Sequence, residues 1–250
     1  LSGDLCGLRR DLRLYRQSIS LATAMADIAG LWSLEEVTGT LTDFADASVR
    51  ISLDWLLKNK SAQYGLDIPP TGDQCQCVVL GMGKYGAREL NYSSDIDIVV
   101  FYEPDGIVSL DSHKLAEFWI DLTRDLSTIL QFTTDAGFVF RVDLRLRPDP
   151  GSTPVAVSIP AAETYYESFG QNWERAAFIK ARQIAGDKRT GDKLLAILSP
   201  FIWRKNLDFA AIEDVHAMKR QIHAVRGHGQ IAVAGHNIKL GRGGIREIEF

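Results

Sequence analysis

Asp95 and Asp97 stand two residues apart at the head of the run Asp95-Ile-Asp-Ile-Val-Val-Phe-Tyr102. A strand alternates its faces, so a strand here turns both carboxylates to one side while Ile96, Ile98 and Val100 fill the other. Paired carboxylates bind a divalent cation, although a solvated acidic strand end carries the same pattern. Upstream, Gly81-Met-Gly-Lys84 follows an apolar run and precedes a short helix. Bare backbone and free N–H groups at such a turn can approach a phosphate, and Lys84 adds positive charge. Gly86 completes G-x-G-x-x-G, but the helix is too short for a dinucleotide fingerprint and the acids follow only about a dozen residues later. A plain strand-to-helix turn is the other reading.

A third stretch, Arg141-Val-Asp-Leu-Arg-Leu-Arg147, alternates charged and apolar residues. As a strand it places Arg141, Asp143, Arg145 and Arg147 on one face and Val142, Leu144 and Leu146 on the other. A surface antiparallel strand has the same alternation. One acid among three arginines nevertheless suits a site that takes metal and phosphate together, because guanidinium forks match phosphate oxygens. Asp143 joined to Asp95 and Asp97 supplies the carboxylates that two magnesium ions need for in-line displacement at phosphorus.

The elements that must hold these residues are legible from period and punctuation. Leu8, Leu12, Tyr15, Ile19 and Ala22 recur at helical spacing up to a stop at Gly30. Ser33 and Glu36 form a capping box for a second helix whose stripe of Leu34, Val37, Leu41, Phe44, Ile51 and Trp55 runs to about Leu57. Asp67-Ile-Pro-Pro-Thr-Gly-Asp73 is a breaker cluster and marks a boundary. Strands are then expected at 75–80, 95–102 and 138–146. Between the last two, a helix capped by Ser109 or Asp111 buries Leu115, Phe118, Leu122, Leu126 and Ile129, and Pro148, Pro150, Gly151 and Pro154 stiffen the loop after the third strand. Helices follow near 161–169, 171–183, 191–198 and 209–225, and the glycine-rich stretch 227–244 is expected to be a loop that is mobile or ordered by ligand. Trp173, Phe178 and Ile179, at helical spacing, are expected in the core. This divides the chain into a helical segment at 1–68, a core at 74–158 and a second helical segment at 159–250.

Composition disfavours several classes. With 46% hydrophobic residues in 250 the chain can bury a sizeable core, and a net charge of -4 with a pI near 5.8 gives no basic field for nucleic acid or anionic membrane. Cys6, Cys75 and Cys77 cannot all pair and are read as reduced thiols of a cytoplasmic protein. No run reaches the roughly 18 apolar residues of a membrane span, and no signal peptide is apparent. The start at Leu1 and the stop at Phe250 inside an apparent helix suggest a piece of a longer polypeptide. His216 and His223, seven apart, are taken as solvated, and the stretch holding His228 and His236 shows none of the cysteine spacing of a zinc site.

Four blocks carry a resemblance: Gly81-Met-Gly-Lys-Tyr-Gly-Ala-Arg-Glu-Leu-Asn-Tyr-Ser-Ser-Asp-Ile-Asp97, Asp143-Leu-Arg-Leu-Arg-Pro148, Asn172-Trp-Glu-Arg-Ala-Ala-Phe-Ile-Lys-Ala-Arg182, and Ile238-Lys-Leu-Gly-Arg-Gly-Gly-Ile-Arg-Glu-Ile-Glu-Phe250. In that order they resemble bacterial glutamine synthetase adenylyltransferase/adenylyl-removing enzymes, within the DNA polymerase beta-like nucleotidyltransferase superfamily. The resemblance implies an α+β fold, a nucleotidyltransferase-type mixed sheet with flanking helices, and mostly helical segments at both ends. The Trp173-Glu-Arg175 block and the closing block are similar to the adenylyl-removing half. The implied reaction is phosphorolysis, in which inorganic phosphate takes AMP from adenylyl-tyrosine of glutamine synthetase, giving ADP and free tyrosine.

The resemblance further implies two Mg2+ or Mn2+ ions on Asp95, Asp97 and Asp143. Gly81, Gly83, Lys84 and Ser94 are implied phosphate contacts, and Arg145, Arg147, Lys180 and Arg182 offset charge or form supporting ion pairs with Glu174. Arg175, Arg246 and Glu247 are possible support. Implied partners are glutamine synthetase, the nitrogen-signalling PII protein and a second adenylyltransferase domain in the same chain. The alternatives are the forward, ATP-consuming adenylyltransferase and a non-catalytic nucleotide- or regulator-binding module.

Overall fold

The computed structural model describes residues 4–105 and 112–203, together with 213, 216, 220, 236–239, 241, 243–245 and 248. Helix α1 (Leu5–Ile28) begins where the Asp4 side chain accepts from the Gly7 N–H and ends before Gly30, whose φ of 65° suits a residue without Cβ. Helix α2 (Leu34–Tyr64) starts from the Ser33–Glu36 capping box and continues seven residues past Leu57, to a left-handed Gly65. The breaker cluster leads into a 3-10 turn, Gly72–Gln74, whose first N–H donates to Asp54 of α2 at 2.7 Å.

Strand β1 (Cys77–Gly81), the four-residue helix α3 (Gly83–Gly86) and strand β2 (Ile96–Tyr102) form an antiparallel hairpin-like unit. After helix α4 (Ser112–Gln131) come β3 (Val142–Asp143), β4 (Ala156–Ser158), α5 (Ile159–Ser168), α6 (Asn172–Ile179), β5 (Arg182–Gly186) and α7 (Lys188–Ile202). The sheet order is β3-β2-β1-β5. Both β3 and β4 pair in parallel along the same edge of β2, β3 at its start and β4 at its end. This is an α+β architecture with a mixed five-stranded sheet.

Alternation along β1 and β2 divides the interior into two cores. One unites Cys77, Val79, Ile96, Ile98 and Val100 with α1, α2 and α4, including Leu8, Leu53 and the fully buried Trp119. The other joins Val78, Leu80, Val99 and Phe101 to α5, α6 and α7 through Tyr166, Phe178, Leu194 and Leu198. The helices before the breaker cluster therefore share a core with the sheet. Each buried aliphatic or aromatic side chain contributes about 1.5–3 kcal/mol relative to exposure, which anchors β2 firmly enough to carry acids at its open end. Arg13, wholly buried in α1, donates to the carbonyls of Gly137 at 2.8 Å and Ile129 at 3.4 Å and to that of Phe132. It thereby satisfies free carbonyls at the C-terminus of α4 and fixes the chain that leads to β3.

Several expectations are corrected. The third strand is two residues, not nine. Leu144 packs against the first core and Leu146 against the second, whereas one strand face would send both the same way. The helix expected over 171–183 stops at Ile179, and residues 182–186 form β5 against β1. Of Trp173, Phe178 and Ile179 only Phe178 is in the core; Trp173 and Ile179 are exposed. Ser109 and Asp111, and most of 209–225 and 227–244, lie outside the described residues. Cys6, Cys75 and Cys77 are free thiols. Among the described residues no helix is long and apolar enough to cross a membrane.

Candidate active site

The parallel register of β2 with β3 pairs Ile96 with Val142 and Asp97 with Asp143. Asp97 and Asp143 are thus neighbours on one face, and Asp95 and Arg141 form the next same-face pair at the strand entrance. The Ile96 N–H donates to the Arg141 carbonyl at 2.9 Å, closing this register at the point where the acids emerge. Ile96 and Ile98 are fully buried on the reverse face. The glycine turn is tied in by the Met82 N–H, which donates to the Asp97 carbonyl at 2.9 Å. Gly83 has φ +53°, and a Cβ there would lie 3.1 Å from Asp97 Oδ2, so the bare turn passes directly against the carboxylate.

Charge is unevenly distributed over the three acids. Arg141 donates from Nε to Asp95 Oδ1 and from Nη2 to the Ser93 carbonyl at 2.7 Å. Arg145 folds back on Asp143, donating from its backbone N at 2.8 Å, from Nε to both oxygens at 3.0 Å and from Nη2 at 2.5 Å. These bonds from Arg145 hold the Asp143 carboxyl below its ordinary range, against the effect of burial. Asp97 is pushed up to about 6, first by burial and then by the charges of Asp143 and Asp95, with Arg145 and Lys239 pulling the other way. Lys239 of the closing block therefore lies within electrostatic reach of the acids. Among the described residues no three ligating side chains are gathered closely enough to hold a metal as they stand. Arg141 and Arg145 occupy two of the three carboxylates.

The remaining sequence candidates scatter. Ser94 Oγ donates to Asn91 Oδ1 at 3.0 Å and accepts from the Asn91 N–H at 3.1 Å, shaping the turn before Asp95. Lys84 is partly exposed on α3. Gly81 packs under Ile184 and Tyr85, and a Cβ on Gly86 would meet the Lys180 carbonyl oxygen at 2.0 Å; the first and third glycines thus serve close packing of β5 and its approach. Arg147 is turned into its own loop, donating to the carbonyls of Leu144 and Pro150 at 2.8 Å and of Thr153 at 3.2 Å. Lys180 pairs with Glu89 at the surface. Arg182 forks onto Asp46 of α2 at 2.7 and 3.0 Å and donates to the Gly86 carbonyl at 3.2 Å.

Glu174 is almost fully buried, and burial raises its carboxyl; it accepts from the Gln171 N–H at 2.8 Å and from the Tyr165 hydroxyl at 3.1 Å. It caps α6, whereas ion pairs to it were one of the two roles expected for Arg145, Arg147, Lys180 and Arg182. Arg175 is buried beside it in sequence, and Arg246 and Glu247 lie outside the described residues, as do His223 and His228. His216 is exposed. Arg141, read from the sequence only as one of three arginines sharing a face with Asp143, pairs with Asp95, and Lys239, not singled out from the sequence, acts on Asp97 through its charge. Nothing local announces Lys239.

Comparison with known proteins bears on this geometry. Residues 3–197 match the family described as Glutamate-ammonia ligase adenylyltransferase, and residues 216–250 match the family described as GlnD PII-uridylyltransferase. Among similar proteins, the bifunctional glutamine synthetase adenylyltransferase/adenylyl-removing enzyme of Rhizobium meliloti is 56% identical over 96% of this chain and 24% of its own length. The proteins of that name from Brucella suis and Bradyrhizobium diazoefficiens are 52% and 51% identical over 100% and 99% of this chain, and 26% and 25% of their own lengths. The chain thus spans about a quarter of the length of these relatives. On the family match across most of its length, the chain belongs to the glutamate-ammonia ligase adenylyltransferase family.

Proposed function

We propose that this chain carries out nucleotidyl transfer at phosphorus, in the direction of phosphorolytic removal of AMP from adenylyl-tyrosine of glutamine synthetase. The observation that carries the reading is the register of Asp97 with Asp143 on one face, with Asp95 at the mouth of the same strand. Family membership supports the substrate, since the relatives are named for adding and removing adenylyl groups on glutamine synthetase. The similarity of Trp173-Glu-Arg175 and of the closing block to the removing half supports the direction. The nitrogen-signalling PII protein is the proposed regulator and a second adenylyltransferase domain the proposed neighbour.

Asp95, Asp97 and Asp143 are the residues that would hold Mg2+ or Mn2+, and their hard carboxylate oxygens fit such ions. The upward push on Asp97 comes first from burial and then from the charges of Asp143 and Asp95, and a bound cation would relieve it. Arg145 and Arg141 are mostly exposed, and exposed ion pairs are worth only about 0–1 kcal/mol, so both can yield their carboxylates at little cost. Bound metal supplies charge neutralisation at the transferring phosphoryl group and at the leaving phenolate. The chain's own residues do the rest. The bare Cα of Gly83 leaves room beside Asp97 for phosphoryl oxygens, Arg145 once released presents a fork to them, and Lys84 and Lys239 add positive charge. Inorganic phosphate is already anionic and needs little from a general base.

The test is to incubate the protein with adenylylated glutamine synthetase, Mg2+ and phosphate and to separate the nucleotides. Phosphate-dependent ADP is expected. ATP consumption with pyrophosphate release from unmodified substrate would instead assign the forward reaction, and neither product from folded full-length protein would leave a binding module.

A further inference from the structure

Helix α1 has two apolar faces. Leu8, Leu12, Ile19 and Thr23 lie along the side that packs on the sheet and α2, with Leu8 and Leu12 buried. Leu14, Leu21, Met25 and Ile28 lie on the opposite side, within about 60° of one another at ~100° per residue. Their exposure runs from 49% at Leu14 to 88% at Ile28, and Leu31 and Leu34 extend the patch over the turn into α2 at 76% and 72%. Leu14, Leu21 and Ile28 are spaced by seven, the repeat of a helix-packing seam. An exposed apolar stripe of this length on a helix surface marks a site of packing.

The surroundings of the seam select its occupant. Residues 17–29 contain Ser18, Ser20, Ala22, Ala24 and Ala26 but no lysine or arginine, and one acid, Asp27. Small residues allow a second helix to approach closely, and the arginines of this helix, Arg9, Arg10, Arg13 and Arg16, all lie in its first half, before this stretch. The relatives continue for about three quarters of their length beyond the region this chain matches, so in such a polypeptide further chain is tethered at high effective concentration. We infer that the Leu14–Leu21–Met25–Ile28 face is the docking seam for an apolar-faced helix supplied by the same polypeptide outside these 250 residues.

The seam is close to the chemistry. Arg16 of α1 donates to the Phe138 carbonyl at 2.9 Å, and Asp27 accepts from the Tyr92 hydroxyl at 2.9 Å. The two contacts hold the segments that lead to Arg141 and to Asp95, so the docked helix seats on the element that positions both. The inference rests on family membership and not on the direction of the reaction.

A photo-crosslinking residue replacing Met25 in the full-length polypeptide tests it. The expected product has the mass of a single chain and joins position 25 to a peptide outside residues 1–250. In parallel, Met25→Cys and Leu21→Cys in that protein should react with a thiol reagent about tenfold more slowly in native buffer than in urea, as a covered face does. Crosslinks between two copies at doubled mass, crosslinks confined to residues 1–250, or native labelling as fast as in urea would each overturn the proposal.

Discussion

Asp97 and Asp143 are register partners across the parallel pairing of β2 with β3, which lasts two residues and places both carboxylates on one face. So brief a pairing adds little to the sheet; its effect is to set two acids side by side. If they act as a unit on one phosphoryl group, either substitution removes the unit. Asp97→Asn and Asp143→Asn should each lower AMP transfer by about 10^2–10^3-fold while the circular dichroism spectrum is unchanged. A loss below threefold in both would remove these acids from the chemistry.

Arg145 is bound to Asp143 by its backbone and by its guanidinium, with the side chain 82% exposed. It competes with any cation for that carboxylate. Arg145→Ala should therefore tighten Mn2+ binding up to about fivefold, the worth of an exposed ion pair, as read by electron paramagnetic resonance of free Mn2+. If Arg145 also meets phosphate, the same variant weakens phosphate, and the opposite signs separate its two tasks.

How far the sequence could be read depended on whether local pattern and tertiary demand agreed. The capping box at Ser33, the stripe of α4 and the alternation of β2 survive because each face meets one core. The alternation of 141–147 misleads because Leu144 and Leu146 are taken by different cores, which ends the strand after Asp143 and turns Arg147 into its loop. Strand β5 is hidden behind a helix-like composition; what ends α6 is the crossing of the Lys180 backbone over Gly86, a contact no local window contains. The acids are legible from spacing, but the arginines that hold them are not, since choosing Asp143 over phosphate is a matter of distance.

Gly83 and Gly86 should fail differently. Gly83→Ala places a Cβ at positive φ and 3.1 Å from Asp97 Oδ2, costing about 1–2 kcal/mol and displacing the carboxylate. A Cβ on Gly86 meets backbone oxygens of Lys180 at 2.0 Å and Gly81 at 2.5 Å, so that variant must move β5 at a cost of about 3 kcal/mol or more. Thermal melts paired with activity should show Gly83→Ala losing mainly turnover and Gly86→Ala losing mainly stability.

Arg182 offers a direct test of support against phosphate binding. Its fork onto Asp46, itself 3% exposed, joins β5 to α2, and removing it leaves the buried carboxylate only the looser ion pair with Arg50 at 3.7 Å. Arg182→Met should cost about 3 kcal/mol, or about 6–12 °C in Tm for a chain of this size, with KM for phosphate unchanged. Adding Asp46→Leu should recover part of the loss, because an apolar pair of similar volume avoids the under-compensated buried charge while giving up the partly exposed pair with Arg50.

The two acids that pair across β2 and β3 should respond to pH with opposite sign. Asp97 is raised in the folded state from an ordinary value of 3.8 to about 6, so between these values the folded protein holds a proton the unfolded chain has released. The stability linked to this proton is fully present below about 4 and is lost as pH rises through about 6, so measured against a neutral side chain Asp97 contributes nothing near pH 4 and is a cost above about 6. Asp97→Asn should therefore match the wild type near pH 4 and exceed it at pH 7 by about 1 kcal/mol once solvent screening is allowed for, about 2–4 °C in Tm. Asp143 is lowered by Arg145, so its contribution is present above the ordinary carboxylate value and is lost as pH falls through the depressed one. Asp143→Asn should then be less stable than wild type at pH 7 and indistinguishable from it in strong acid. Melting curves in metal-free buffer across pH 3–8 decide the matter. If both variants shifted in the same direction at pH 7, Arg145 would not be dividing the charge between them, and the partition of one protected and one crowded carboxylate would be wrong.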